Sequence, residues 1–171
     1  MDATMIVLRL IHIFSGVYWL GATFLLVSFV TPTVQATGEE GRAFMQHLAF
    51  RTRFTMSLAA TGGLTILSGL IMWVILFGDG RGLFSNPYAL TLTIGAVFGL
   101  AAFAVGFVFQ NRSSREMRKV YEAIQAGDGP PQPEQMAEMK RLSERINFGS
   151  RLTALLMTGA LVGMSIAQYV V

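Results

Sequence analysis

Four long apolar blocks constrain the fold of this chain more strongly than any other feature of its sequence. Each is close to the ~20 residues that an α-helix needs to cross ~30 Å of hydrocarbon. Inside lipid the backbone must satisfy its own hydrogen bonds, so blocks that are apolar on every side are expected to be helical. We therefore predict an all-α integral membrane protein, folded as a single-domain four-helix bundle over residues 1–171. The expected spans are residues 5–30, 54–77, 89–109 and 152–171.

Capping and turn signals predict that the second, third and fourth helices extend beyond the membrane on one side. Thr37 followed by Glu40 has the spacing of a capping box, which places the start of the second helix well before its span. The third helix is expected to begin at Asn86-Pro87 and the fourth at Gln132-Pro133-Glu134. The extensions are amphipathic, so we expect them to pack together in water. Turns are expected at residues 31–33, 78–82 and 127–131.

The basic residues lie almost entirely on one side of the predicted membrane. Arg9 and Arg81 belong to the side of the chain termini, and the other eleven Lys and Arg residues belong to the opposite side. The positive-inside rule then places the termini outside, and the loops 1–2 and 3–4 in the cytoplasm, for a protein of the plasma (inner) membrane. Contact of this basic side with an anionic lipid bilayer accounts for the net charge of +3 without a nucleic-acid partner.

Two Gly-x-x-x-Gly motifs predict close packing between helices. Gly95 and Gly99 lie in the third block, and Gly159 and Gly163 lie in the fourth. Small residues let helix backbones approach closely in lipid, where van der Waals contact drives association. The motifs either serve packing within the chain or leave one face for a homodimer or a partner membrane subunit.

Several classes of chemistry lack the residues that they need. The chain has no cysteine, which excludes disulfides, thiolate metal sites and cysteine nucleophiles. No Asp, Glu or Lys lies inside the four blocks, so the acidic groups and lysines that a pump or ion transporter uses at depth are missing. The sequence also lacks a Ser-His-Asp set at one depth and a glycine-rich phosphate loop after a strand. Whether the protein is an enzyme stays open.

His12 is the residue on which a chemical interpretation depends. It lies inside the first block, roughly 8 Å from the membrane midplane, whereas His47 lies in the predicted extension more than ~30 Å away along the membrane normal. An imidazole at that depth is costly unless it is hydrogen bonded or bound to a ligand. One interpretation is therefore a packing residue, bonded to Ser15, to Ser68 or to a backbone carbonyl of a neighbouring helix. The other is a ligand site.

Met72 and Met164 are expected at the depth of His12, on the second and fourth helices. A histidine–methionine pair suits haem iron and copper(I), because both accept imidazole and thioether ligands. Either methionine alone is typical of core packing. Arg9 lies one turn outward from His12, and it either snorkels to the interface or pairs with a haem propionate or another anion.

The first block carries a histidine seven residues before Trp19-Leu20-Gly21. This pattern resembles the opening helix of copper-resistance D-type membrane proteins and related four-helix families. It is also similar to the first helix of the membrane-bound, haem-containing protoporphyrinogen oxidases. The resemblance implies that His12 is a haem-ligand position with Trp19 as its packing partner, and it implies copper handling as an alternative. The oxidase family has a basic residue nine positions after the tryptophan, where this chain has Ser28, so oxidase activity itself is not carried over.

These observations lead to one main hypothesis and three alternatives. The main hypothesis is an integral membrane protein that binds b-type haem through His12 in the outer half of the bundle, with an electron-transfer or oxidase-like redox role. The alternatives are a copper-handling membrane protein, a non-enzymatic membrane subunit or scaffold, and a protein that passes small molecules or handles lipid.

Overall fold

The computed structural model describes residues 2–78, 86–127 and 129–170, except for the side chain of Asn111. These parts of the chain form helices and contain no strand. The five helices are α1 Ala3–Ala36, α2 Glu39–Arg51, α3 Phe54–Phe77, α4 Pro87–Gln125 and α5 Pro133–Tyr169. The helices α1, α3, α4 and α5 are each long and apolar enough to cross a membrane, which confirms the four predicted spans at that level.

The four long helices associate as two pairs. Helix α1 packs mainly along α3, and α4 packs mainly along α5. The pairs meet at a buried cluster formed by Trp19, Ala102 and Met157, with Phe103 and Leu156 packed against it. Trp19 and Phe103 meet edge to face with their ring centroids 6.0 Å apart, a favoured aromatic geometry. This cluster is the place where α1, α4 and α5 come together.

Helix α1 continues beyond its predicted end. The turn expected at residues 31–33 is wrong, because the helix runs through Pro32 to Ala36. A π turn over Leu26–Val30 ends two residues before the proline. Pro32 has no N–H to donate, and the wider turn accommodates this loss without ending the helix, as membrane helices commonly allow. The chain then reverses at Gly38, whose φ of 61° is favoured by glycine.

The predicted second helix is divided into two helices, α2 and α3, in the structure. Residues 39–51 form the separate helix α2, and Thr52 breaks the path with an extended backbone at φ −108° and ψ 169°. The capping box expected at Thr37 and Glu40 is also wrong. The Thr37 hydroxyl instead donates to the Thr33 carbonyl at 2.9 Å, so it belongs to the end of α1. Thr52 accepts a hydrogen bond from the Phe54 N–H at 3.2 Å and so caps the start of α3.

Helices α4 and α5 continue well beyond the apolar blocks of their predicted spans, as expected. Asn86 accepts a hydrogen bond from the Tyr88 N–H at 2.9 Å, and Gln132 forms a capping box with Gln135. Helix α4 passes through a second π turn at Phe107–Asn111 and continues as an amphipathic segment to Gln125. Exposed ion pairs follow the helix surface, and a hydrogen bond from Arg141 holds the pKa of the Glu138 carboxyl below its usual range. The predicted turn residues 79–82 and Asp128 lie outside the described residues.

The glycine motifs serve packing within the chain. A Cβ atom placed on Gly163 would lie 3.0 Å from the Gly95 Cα, so the backbones of α4 and α5 touch there. Gly159 lies under the ring of Phe98, with Cδ1 3.0 Å from such an atom. The prediction of tight intrachain packing at these motifs is therefore confirmed, and the expected dimer face stays a prediction.

Candidate ligand site at the α1–α3 interface

His12 lies on α1 and faces α3. Its Nδ1 lies 2.8 Å from the backbone carbonyl oxygen of Thr65 and 3.4 Å from the Ser68 hydroxyl oxygen. A carbonyl oxygen only accepts, so the short contact requires a proton on Nδ1. The neutral ring therefore presents Nε2 as a lone pair. The structure realises the hydrogen bond to a neighbouring helix that the packing interpretation foresaw, and it uses one of the two ring nitrogens to do so.

The second nitrogen is not used in the same way. Nε2 makes no hydrogen bond within the described part of the chain. The fully buried side-chain atoms there that lack a partner are Ser113 Oγ and Thr153 Oγ1, and Nε2 is not one of them. The imidazole is half-buried and sits among apolar residues of the span. A histidine whose Nδ1–H is held by a carbonyl while Nε2 stays open has the arrangement of a metal-ligating imidazole.

A short chain of hydrogen-bonded hydroxyl groups lies beside the ring. The Thr65 hydroxyl donates to the Ser15 oxygen at 2.9 Å, and Ser15 donates to the carbonyl of Ile11. Ser68 donates to the carbonyl of Leu64 at 2.6 Å. Ser15 and Ser68 are buried, and each hydroxyl has a partner. These hydroxyl groups are therefore satisfied within the α1–α3 interface, while the contacts of the ring itself are to the Thr65 carbonyl and the Ser68 hydroxyl.

Gly69 determines how closely the ring approaches α3. A Cβ atom placed on Gly69 would lie 2.9 Å from His12 Cε1 and 3.1 Å from Nδ1, but 4.0 Å from Nε2. The ring therefore lies directly on the glycine with its Nδ1 edge toward α3. The glycine is required at this point because any side chain would occupy the space of the imidazole.

Trp19 occupies an equivalent position two turns along the same interface. A Cβ atom placed on Gly62 would lie 3.2 Å from Trp19 Cε2. The residues His12 and Trp19 are seven apart, as are the glycines Gly62 and Gly69, so the two large residues face two glycines across the antiparallel pair. Trp19 thus packs on α3 in the same seam as His12, roughly 10 Å away along the helix.

The two candidate methionines are placed differently. Met72 follows Ser68 by four residues and Gly69 by three, so it projects from the face of α3 that carries the His12 contacts. Met164 packs on α4, where its Cγ would lie 3.1 Å from a Cβ atom on Gly95. The geometry therefore associates Met72, rather than Met164, with the face of α3 at His12. Arg9 is exposed on α1, one turn from His12.

Sequence reasoning missed Thr65, and it assigned Gly69 to a small-residue packing face of α3 without connecting it to His12. A signal for them was present, because Thr65, Ser68 and Gly69 are small or polar residues at positions i, i+3 and i+4 within an apolar block. This spacing marks one face of a helix. Their partner on α1 depends on which helices pair, which the sequence pattern does not state.

Comparisons with family models, with curated proteins and with solved structures find no match to this chain. Within residues 2–78, 86–127 and 129–170, no three His, Cys, Asp or Glu side chains gather in a way that could hold a metal ion. A metal at His12 would therefore depend on thioether ligands, on a macrocycle or on groups from outside the chain.

Proposed function

We propose that this protein is a haem-binding integral membrane protein in which His12 would hold b-type haem through Nε2. A haem held there would supply one-electron redox chemistry. The observation that carries the proposal is the difference between the contacts of the two nitrogen atoms of the His12 ring. Nδ1 is committed to the Thr65 carbonyl at 2.8 Å, and Nε2 has no partner in the described chain.

Nε2, which has no hydrogen-bond partner in the described chain, carries an energetic cost in the membrane. A polar atom at membrane depth costs free energy when it has no partner, and the cost is removed when it binds a ligand or a donor. The packing interpretation explains Nδ1 and leaves Nε2 without a role. Coordination to iron would account for both nitrogens, since the proton that the Thr65 carbonyl requires on Nδ1 leaves Nε2 as the nitrogen that can bind a metal.

The position of the ring limits where the haem lies. The Nδ1 edge of His12 already fills the space above Gly69, so the macrocycle cannot enter the seam between α1 and α3 at that level. It would instead lie outside this pair of helices, against lipid or a second subunit. Arg9 is exposed and lies one turn from His12, and in this proposal it would pair with a propionate on the interface side.

The topology of the proposal follows from the charge distribution. The basic residues at the far ends of the spans put that side in the cytoplasm, so the termini and His12 belong to the outer half of the membrane. The haem would then exchange electrons on the outer side. Reporter fusions at the amino and carboxyl termini test this orientation directly.

The test is the visible spectrum of the protein purified from haem-supplied cells. We expect a Soret band that disappears in His12→Ala and persists in His47→Ala. His47→Ala is the matched control. It also removes an imidazole, but from an exposed position on α2. A colourless wild-type protein that also takes up no added haemin contradicts the proposal. Equal loss of the band in both variants contradicts the assignment to His12.

Copper(I) is a second candidate, and a specific observation favours it. The α1–α3 interface is tight at His12, and a single ion needs far less room than a porphyrin. Met72 projects from the same face of α3, and thioether and imidazole are both ligands that copper(I) accepts. Metal analysis after loading with copper(I) would then show about one ion per chain, lost in His12→Ala and in Met72→Leu. Met164→Leu is the matched control and should keep the ion.

A further inference from the structure

A small notch lies between α1 and α5 at the far end of the spans from His12. It is a shallow surface feature that encloses no room for a water molecule, and it is lined by Val27, Thr31, Asn147, Ser150 and Arg151. We refer to these five residues as the α1–α5 notch. Val27 belongs to the π turn of α1, and the nearby π turn of α4 contributes Gln110 to the same region. Such turns widen a helix locally and are frequent at functional sites.

The polar groups of the notch are hydrogen-bond donors. Gln110 donates from Nε2 to the Ser150 oxygen at 3.2 Å, which leaves the Ser150 hydroxyl proton free to point elsewhere. Thr31 offers a second hydroxyl, Asn147 an amide, and Arg151 a planar guanidinium with several N–H groups. No acidic side chain lines the notch. This combination recognises a phosphate, which accepts several hydrogen bonds and a charge at once.

The notch lies where lipid headgroups are expected. Arg151 is exposed and immediately precedes Leu152, the first residue of the fourth predicted span. Leu155 lies one turn further into the span on the same face and is 69% exposed, so it presents an apolar surface beside the arginine. A molecule with a phosphate at the notch and an acyl chain along Leu155 matches both surfaces. A free phosphate ion would use only the first.

We infer that the α1–α5 notch binds the headgroup of an anionic phospholipid, with Arg151, Asn147, Ser150 and Thr31 contacting the phosphate. The lipid would bridge α1 and α5, which otherwise belong to different helix pairs. Lipid binding there would hold the two pairs together at the end of the molecule where both π turns lie. The inference does not depend on a ligand at His12.

The test measures lipid binding to the purified chain in neutral detergent by native mass spectrometry, with phosphatidylglycerol and phosphatidylcholine as probes. We expect wild-type protein to retain phosphatidylglycerol in preference to phosphatidylcholine. Arg151→Gln should weaken this binding about tenfold, because it removes the one charged donor of the notch. Arg151→Lys keeps the charge but loses the fork, so an intermediate loss is expected. Arg115→Gln is the matched control, because Arg115 is exposed on α4 and lies outside the notch.

Each other outcome overturns the inference. Unchanged phosphatidylglycerol binding in Arg151→Gln would show that Arg151 does not contact the lipid. An equal loss of phosphatidylglycerol binding in Arg115→Gln would show that the lipid responds to general surface charge and not to the notch. Competition by inorganic phosphate at matched concentration would show that the notch takes a free ion rather than a lipid. If Arg151→Gln fails to fold by circular dichroism, Ser150→Ala replaces it, and its binding must then fall while that of Ser114→Ala on α4 does not.

Discussion

The substitution Gly69→Ala probes the contact that orients His12. The new methyl carbon would lie 2.9 Å from His12 Cε1 and 3.1 Å from Nδ1. Ordinary carbon contacts lie at about 3.5–4.0 Å, so the ring must retreat by roughly 0.5–1 Å. It cannot do so while keeping the present hydrogen bond, because Nδ1 is held 2.8 Å from the Thr65 carbonyl on the same helix as the methyl group.

The cost has three contributions of known size. Overpacking a well-packed contact costs about 1–3 kcal/mol. A hydrogen bond stretched beyond about 3.3 Å loses most of its net value of about 0.5–1.5 kcal/mol. Replacing glycine by alanine inside a helix returns about 0.8–1 kcal/mol. The sum is a net destabilisation of about 2 kcal/mol, in which the steric contribution is the largest.

Gly63→Ala is the matched control on the same helix. A Cβ atom there meets nothing within 4 Å, so this substitution should stabilise the protein by up to about 1 kcal/mol. The measurement is equilibrium unfolding of both variants in mixed detergent micelles, with the Nδ1 proton of His12 followed by NMR. In a His12→Ala background Gly69→Ala should cost little, because the ring that it strikes is gone. If Gly69→Ala unfolds with the same midpoint as Gly63→Ala, or keeps the Nδ1 proton signal unchanged, the proposed contact is wrong.

Three further predictions concern the α3, α4 and α5 contacts. Gly95→Ala should destabilise the protein by about 1–2 kcal/mol, because its Cβ would lie 3.1 Å from the Met164 backbone nitrogen. Gly99→Ala should be neutral or stabilising, because the nearest atom to its Cβ would be 3.9 Å away. Equilibrium unfolding in micelles compares the stability of the two variants. Trp73 donates from Nε1 to Thr93 Oγ1 at 3.0 Å, and a double-mutant cycle with Trp73→Phe and Thr93→Ala should give a coupling near the membrane average of about 0.6 kcal/mol. A coupling energy of zero would show that this hydrogen bond does not stabilise the protein. Thr153→Val should be neutral or stabilising by about 1 kcal/mol, because it replaces a buried hydroxyl without a partner, and a loss of stability would show that the hydroxyl has one.

The spans were predictable because their signal is local. The third helix of the structure, Phe54–Phe77, has the bounds of the second predicted span. The starts at Pro87 and Pro133 were also found, because a cap followed by a proline at the first helical position reports a helix end directly. In lipid a long apolar run has one way to satisfy its backbone, so composition nearly determines structure there.

The ends of α1 and α2 were not predictable from local signals. Pro32 is typical of a turn in water, but a π turn absorbs it within the helix. Thr37 and Glu40 have the spacing of a capping box, yet the reversal is made by Gly38, which leaves Thr37 on the preceding helix. The break at Thr52 has no marker of the Gly or Pro kind. In each case neighbouring turns compete for the same residues, and tertiary context decides between them.

One part of the candidate site at His12 was predictable from the sequence and the other was not. The part that was not predictable depends on how α1 and α3 are aligned along each other. The sequence identified an imidazole at depth, but its partner on α3 follows from an antiparallel pairing in which His12 faces Gly69 and Trp19 faces Gly62. Large residues at a spacing of seven on one helix then fit glycines at the same spacing on the other, as close helix packing favours. The acceptor for Nδ1 is a backbone carbonyl, so no substitution at residue 65 removes it. Thr65→Val would break the bond to Ser15 and leave the orientation of His12 intact. The sensitive positions of this site are therefore the glycines of α3, and variation at residue 69 should affect the orientation of the His12 ring more than variation at residue 65.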